Sequence, residues 1–281
     1  MTWYDLTWFD TRQHAPGNRE CFVPATPRTD VNRDLGVTGW LVERVPEWSV
    51  PLFSFLSALG DLLVIVPVLG LLYVLDVYRS AREGHTEGPL CADRTAFLVA
   101  TVFGGLALIV ALESIFAQPR PPADWHAVPA SAYGFPSGHT MAATVAWGAI
   151  ALWGRVGAIE GVHSIGGVFE NRRARLAAAG ATVVAVGVSR LALGLHYLVD
   201  VIASVGFGAA YLVVVWRLAD GRPERAFAGA LGIAVVAIVV SGGGSRAVLA
   251  MVGTVGAAMG WRIVELPAIR GRLVGVLGRD G

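Results

Sequence analysis

A series of long apolar runs governs what this chain can fold into. They lie at roughly 61–78, 95–117, 139–154, 176–193, 197–217, 226–241 and 247–265. A helix needs about 20 residues to cross the hydrocarbon core of a bilayer, with about 17 as a working minimum. Most of the runs reach that length; those at 139–154 and 226–241 fall short unless their flanks extend them. The composition agrees, with 54% hydrophobic and 15% charged residues, where a soluble domain carries about 25% charged. So few charges could not cover the surface of a soluble fold of 281 residues. The expected fold is all-α, a polytopic membrane helical bundle of about seven transmembrane helices.

All 22 basic residues are Arg. With no Lys, Schiff-base chemistry, a P-loop lysine and a kinase lysine are excluded together. The net charge of +1 excludes a nucleic-acid partner, because such domains concentrate basic residues on one face. The Arg distribution sets an expected orientation. Arg79, Arg82 and Arg94 fall in one connection, and Arg155, Arg172, Arg173 and Arg175 in another. Arg217, Arg222 and Arg225 fall in a third, and Arg262, Arg270, Arg272 and Arg279 at the C-terminal end. The intervening short connections hold only Arg120, Arg190 and Arg246. Under the positive-inside rule the Arg-rich connections are cytoplasmic and the N-terminus is outside.

Residues 1–48 read as an extracytoplasmic segment without the pattern of a signal peptide. Trp3, Trp8, Phe9, Trp40 and Trp48 suit either an interfacial position or packing on a loop. Cys21 and Cys91 are expected on opposite sides of the membrane, so they cannot pair, and neither has neighbours at metal-ligand spacing. No metal and no cofactor are expected. Gly253, Gly256 and Gly260 suggest close helix packing, and Gly242-Gly243-Gly244 suggests a short outer turn.

Charged residues that persist at a membrane boundary mark function by default. Three segments qualify, all expected at the outer face: Gln118-Pro119-Arg120-Pro121-Pro122, Pro136-Ser137-Gly138-His139, and Ser189-Arg190 with His196 and Asp200. Arg120 and Arg190 offer guanidinium forks that match phosphate oxygens. Ser137, Gly138 and His139 open a helix, where free N–H groups and the dipole favour an anion. Gly138 leaves room for a ligand to approach the backbone. His196 and Asp200 share a helix face at i, i+4, so the carboxylate can hold one ring N–H and leave the other nitrogen to attack. His139 is a second imidazole, available as general acid. Taken singly, each has a plainer reading: a snorkelling Arg, a helix-start turn, a buried hydrogen-bonded pair.

Together these residues carry a resemblance. Ser189-Arg190-(five residues)-His196-(three residues)-Asp200 matches the third signature of the type 2 phosphatidic acid phosphatase (PAP2) superfamily, and Pro136-Ser137-Gly138-His139 matches its second. The resemblance covers about residues 50–217. It implies a helical bundle with an extracytoplasmic site, no required metal and a phosphohistidine intermediate. By that likeness His196 is the nucleophile, Asp200 its orienting partner and His139 the acid, while Arg120, Ser137, Gly138 and Arg190 hold the phosphate.

One position departs. The first signature of the family has a Lys seven residues before the Arg of Arg-Pro; here that residue is Glu113. A carboxylate beside a phosphate repels it by several kcal/mol at low effective dielectric unless it is neutralised. Pairing with Arg120 or Arg190, protonation by burial and contact with a cationic part of the substrate are all open. The arrangement also differs from the six spans that the resemblance implies. Two runs precede Arg-Pro rather than three, and two follow the core. The stretch Trp40–Phe55 is expected to lie on the membrane in place of the missing helix.

The expected organisation is therefore an N-terminal segment at 1–48, a PAP2-like core at 49–217, two additional helices at 218–265 and a cytoplasmic tail at 266–281. The expected function is hydrolysis of a lipid phosphate or isoprenoid pyrophosphate at the extracytoplasmic face of the cell membrane. The alternatives are phosphoryl transfer through the same intermediate and non-catalytic binding or transport of a lipid phosphate.

Overall fold

The computed structural model describes residues 33–82, 93–130, 133–154 and 171–277. Trp3, Trp8, Phe9, Cys21, Cys91, Arg155 and Arg279 lie outside the described residues, and with them the expectations placed on them. The described residues form ten α-helices: α1 Val37–Val42, α2 Val50–Ala58, α3 Leu62–Arg82, α4 Asp93–Phe116, α5 Gly138–Trp153, α6 Arg172–Ala192, α7 Leu198–Ala219, α8 Pro223–Val240, α9 Ser245–Val264 and α10 Pro267–Leu277. Every apolar run of the sequence has become a helix.

Among the described residues, six stretches are long and apolar enough to cross a membrane: Glu47–Arg82, Asp93–Phe116, Arg172–Ala192, Leu198–Ala219, Pro223–Val240 and Ser245–Val264. The seventh expected span, α5, has 16 residues. At 1.5 Å per residue it is about 24 Å long, short of a core about 30 Å thick. It does not face lipid along its length: Thr140 to Ala146, Ala149 and Ala151 are buried between α4, α6 and α7. A short helix enclosed by protein leaves its first residues inside the bundle, and Ser137 is indeed fully buried. The chain is a multi-pass membrane protein.

The centre of the bundle is α4, with 78% of its apolar window buried against 17–33% for the other candidate spans. Its most extensive partner is α8, followed by α5 and α9. Small residues make the α4–α8 approach possible. Ala107 and Ala111 face Ala230, Ala234 and Ala237, all at most 2% exposed, and a Cβ on Gly104 would stand 3.0 Å from that of Ala230. Without a hydrophobic force between helices in lipid, such close packing is what holds them together. The two helices beyond the expected core, α8 and α9, are therefore central rather than peripheral. Of the three glycines on α9, Gly253 packs against Phe103, while Gly256 and Gly260 face open space.

At one end of the bundle Trp153 stacks on Trp216 at 5.5 Å, with Phe97 edge-on to both. Hydroxyls within the helices bond back to carbonyls: Thr101 to Phe97, Ser114 to Val110, Thr144 to Thr140 and Thr254 to Ala250. That is how a polar side chain is satisfied where water is absent. Residues 267–277, expected as a tail, form α10, which packs against α3. The stretch before α3 is helical too; α2 packs on α6, and Trp48 in the turn before it is exposed along with Leu52 and Phe55 of α2.

Candidate active site

Alternation of helix direction brings the N-termini of α3, α5, α7 and α9 and the C-termini of α4, α6 and α8 to the side of the bundle away from the Trp153–Trp216 stack. Arg79, Arg94, Arg172, Arg173, Arg217, Arg225 and Arg262 lie at the opposite ends of these helices. The three segments singled out in the sequence thus share one face of the bundle.

His196 sits in the connection from α6 to α7, fully buried. Its Nδ1 is 2.8 Å from the carbonyl oxygen of Gly134. A carbonyl can only accept, so Nδ1 carries the proton. Nε2 is then the lone-pair nitrogen, and Arg120 donates to it from Nη1 at 2.9 Å. Burial, and then the charges of Arg120 and Arg190, push the His196 pKa well below its ordinary value, so the ring is neutral at pH 7.

Asp200, expected to hold the ring N–H, stands one step further out. Its Oδ2 is 3.8 Å from Nδ1 and accepts from the N–H of Tyr197 at 2.8 Å, capping α7. Its Oδ1 pairs with Arg33 at 2.7 Å. The Gly134 carbonyl has taken the position at Nδ1 that i, i+4 spacing suggested for the carboxylate. Arg33 also donates to the carbonyl of Pro119 and lies over the Tyr197 ring at 5.3 Å, so it ties the N-terminal segment to two sides of the site.

Arg120 leaves α4 through Ala117, which adopts a positive φ of 46°. Besides His196 it donates to the Leu195 carbonyl at 2.8 Å. Burial draws its pKa down to about 10, which still leaves it charged at neutral pH. Arg190, 5% exposed, donates to the Ser57 hydroxyl of α2 at 2.8 Å. Ser137 faces Thr140, hydroxyl to hydroxyl, at 3.0 Å.

A pocket opens beside these groups, and Arg120, Gly138 and His139 line it together with Asp61, Glu113 and Arg246. His196 and Arg190 lie outside its lining, with Arg120 reaching from the pocket to His196. His139 brings its Nε2 to 3.6 Å from Asp61 Oδ2, while Asp61 Oδ1 accepts from the N–H of Leu63 and caps α3. The sequence held the signal for Asp61: a lone carboxylate opening an apolar run. Arg33 and Ser57 had no such signal, because only packing brings α2 and the N-terminal segment here.

Glu113 is 2% exposed. It pairs neither with Arg120 nor with Arg190, as one expectation had it, but accepts from Arg246 at 2.5 Å. The space opposite the missing Gly138 side chain belongs to this carboxylate: a Cβ there would lie 2.9 Å from Glu113 Oε1. Gly138 thus admits a protein side chain as well as any ligand.

No curated protein matches the chain. A solved structure to which it is similar is that of the first transmembrane PAP2-type phosphatidylglycerolphosphate phosphatase from Bacillus subtilis. Identity is 20%, the match covers 64% of this chain and 81% of the other, and the TM-score is 0.49. Residues 94–224 match the PAP2 superfamily, an interval that contains Arg120, Ser137, Gly138, His139, Arg190, His196 and Asp200. Over that interval, which carries the candidate site residues, the chain is similar to the PAP2 superfamily.

Proposed function

We propose that the protein is an integral-membrane phosphatase that hydrolyses a lipid phosphate or isoprenoid pyrophosphate at the extracytoplasmic face through a phosphohistidine intermediate. The observation that carries this reading is the state of His196: neutral, protonated at Nδ1 by the demand of the Gly134 carbonyl, with Nε2 directed at a guanidinium. A neutral imidazole nitrogen among buried arginines is suited to attack phosphorus and not to act as an acid. When a phosphoryl group enters, its oxygens replace Nε2 as acceptors for Arg120. Nε2 then forms the N–P bond as the P–O bond to the lipid alcohol, or to the departing phosphate, breaks. Burial and Arg190 keep His139 neutral before substrate binds. The negative charge of the entering phosphate, with Asp61 at 3.6 Å, raises its proton affinity, and His139 passes the proton it takes up with the substrate to the leaving oxygen. Water then attacks phosphorus with His139 taking its proton back, the N–P bond breaks, and inorganic phosphate leaves. Positioning and the fixed charges of Arg120 and Arg190 supply most of the rate enhancement.

The distribution of Arg supports an extracytoplasmic site, since the charged connections gather at the other end of the helices. The test is phosphate release by the purified chain in detergent, with phosphatidic acid, phosphatidylglycerol phosphate and a polyprenyl pyrophosphate as substrates. Release by the parent, lost in His196→Ala that still melts cooperatively, is the expected result. Undiminished release by His196→Ala would remove His196 as nucleophile. Transfer of phosphate to an added alcohol instead of water would make the protein a phosphotransferase. Binding of these lipids without turnover would make it a carrier.

A further inference from the structure

The pocket contains a carboxylate where a phosphate must pass. Glu113 is buried, sits against the backbone of Gly138 at the start of α5, and shares the pocket with Arg120 and His139. Left alone it would repel the substrate and cost heavily to keep ionised. Arg246 removes both difficulties through its contact with Glu113 Oε2. It comes from outside the 94–224 interval, on the first turn of α9. The turn before α9 is tight because Gly242 and Gly243 adopt positive φ of 64° and 79°, and α9 is fixed along α4 and α8 by its own packing. Arg246 lines the pocket itself, and its side chain keeps 26% of its exposure while that of Glu113 keeps 3%. Both Glu113 and Arg246 are near enough to Arg120 to act on its charge.

We propose that Arg246 is a further phosphate-binding residue, supplied by the added helix α9 and aimed into the pocket by Glu113. The carboxylate takes one edge of the guanidinium and orients it; a phosphoryl oxygen takes another, since the group has five N–H donors in a fixed fork. Glu113 is then a positioning residue rather than a defect, and α8 and α9 complete the site as well as the bundle. This inference rests on the phosphatase reading of the pocket.

The test measures binding rather than turnover. Orthovanadate, which mimics the phosphoryl group in flight, is titrated against the purified full chain in detergent by vanadium-51 NMR. Replacing Arg246 alone leaves Glu113 as an unpaired buried charge, so the deciding variant is Glu113→Gln with Arg246→Gln, which removes both charges together. The expected result is vanadate affinity weakened about tenfold or more, the loss of one charge-assisted hydrogen bond, with the melting profile retained. Arg246→Lys, which keeps the charge beside Glu113, is expected to recover part of that loss. Affinity of the double variant within about twofold of the parent, a difference below the worth of one such bond, would overturn the proposal, because Arg246 would then only neutralise Glu113. Vanadate that fails to bind even the parent would bring down the phosphatase reading itself, and this inference with it.

Discussion

His196 holds a single ring proton, and the residues that fix its position are not those that spacing alone suggests. The i, i+4 relation to Asp200 was legible in the sequence, and the two side chains do approach to 3.8 Å. What spacing could not report is that the Gly134 carbonyl, 62 residues away in sequence, would come to 2.8 Å and take the proton first. A backbone acceptor has no residue type, so no motif announces it. Asp61 is the complementary case, a side chain visible as the only charge at the head of an apolar run and brought by α3 to His139. Asp61→Asn is expected to slow phosphate release on the order of 10²-fold at neutral pH, within the range that a positioned general acid supplies. The loss should be smaller with a substrate whose leaving group needs no proton, such as a nitrophenyl phosphate. An equal loss with both substrates would show that Asp61 serves the fold and not His139.

At the scale of helices, the runs predicted their own existence well, because apolar length is a property of composition. Their roles were less visible. The run at 226–241 was short and anonymous, yet α8 makes the largest contact with the central α4. Alanine repeats carry little apolar weight and so look weak in a sequence; in lipid they are what allows backbones to approach. Ala234, fully buried, and Val236, 49% exposed, lie on opposite faces of α8. Ala234→Leu is expected to destabilise the protein by about 1–3 kcal/mol through overpacking and to weaken vanadate binding as α9 shifts. Val236→Leu should do neither. Comparable melting temperatures for the two variants would contradict the packing account. Residues 139–154 are a different case: the run is marginal in length as a span, and it forms a short helix packed between α4, α6 and α7.

For the whole molecule, one arrangement explains several features at once: charged helix ends on one side, site residues on the other, and a central helix whose buried carboxylate is matched by an arginine from a distant part of the chain. The positive-inside pattern predicts which side is which. In a chain cleared of Cys21 and Cys91, a Cys at Gly243 should react with a membrane-impermeant maleimide applied to intact cells, and a Cys at Asp220 should react only after lysis; the reverse pattern would invert the topology. Fold class and the three site segments could be read from the sequence because they are local in the chain. Arg33, Ser57 and Arg246 could not, since each reaches the site only through packing between distant elements. The central claim is that phosphate is carried on His196, and it is tested most directly by trapping the intermediate. Phosphorus-32-labelled substrate would be mixed with the parent, quenched in alkali within one turnover, and the labelled protein digested. The account predicts an acid-labile, alkali-stable label on the peptide bearing His196, absent from His196→Ala. Turnover by the parent with no such label, or a label that survives His196→Ala, would contradict it.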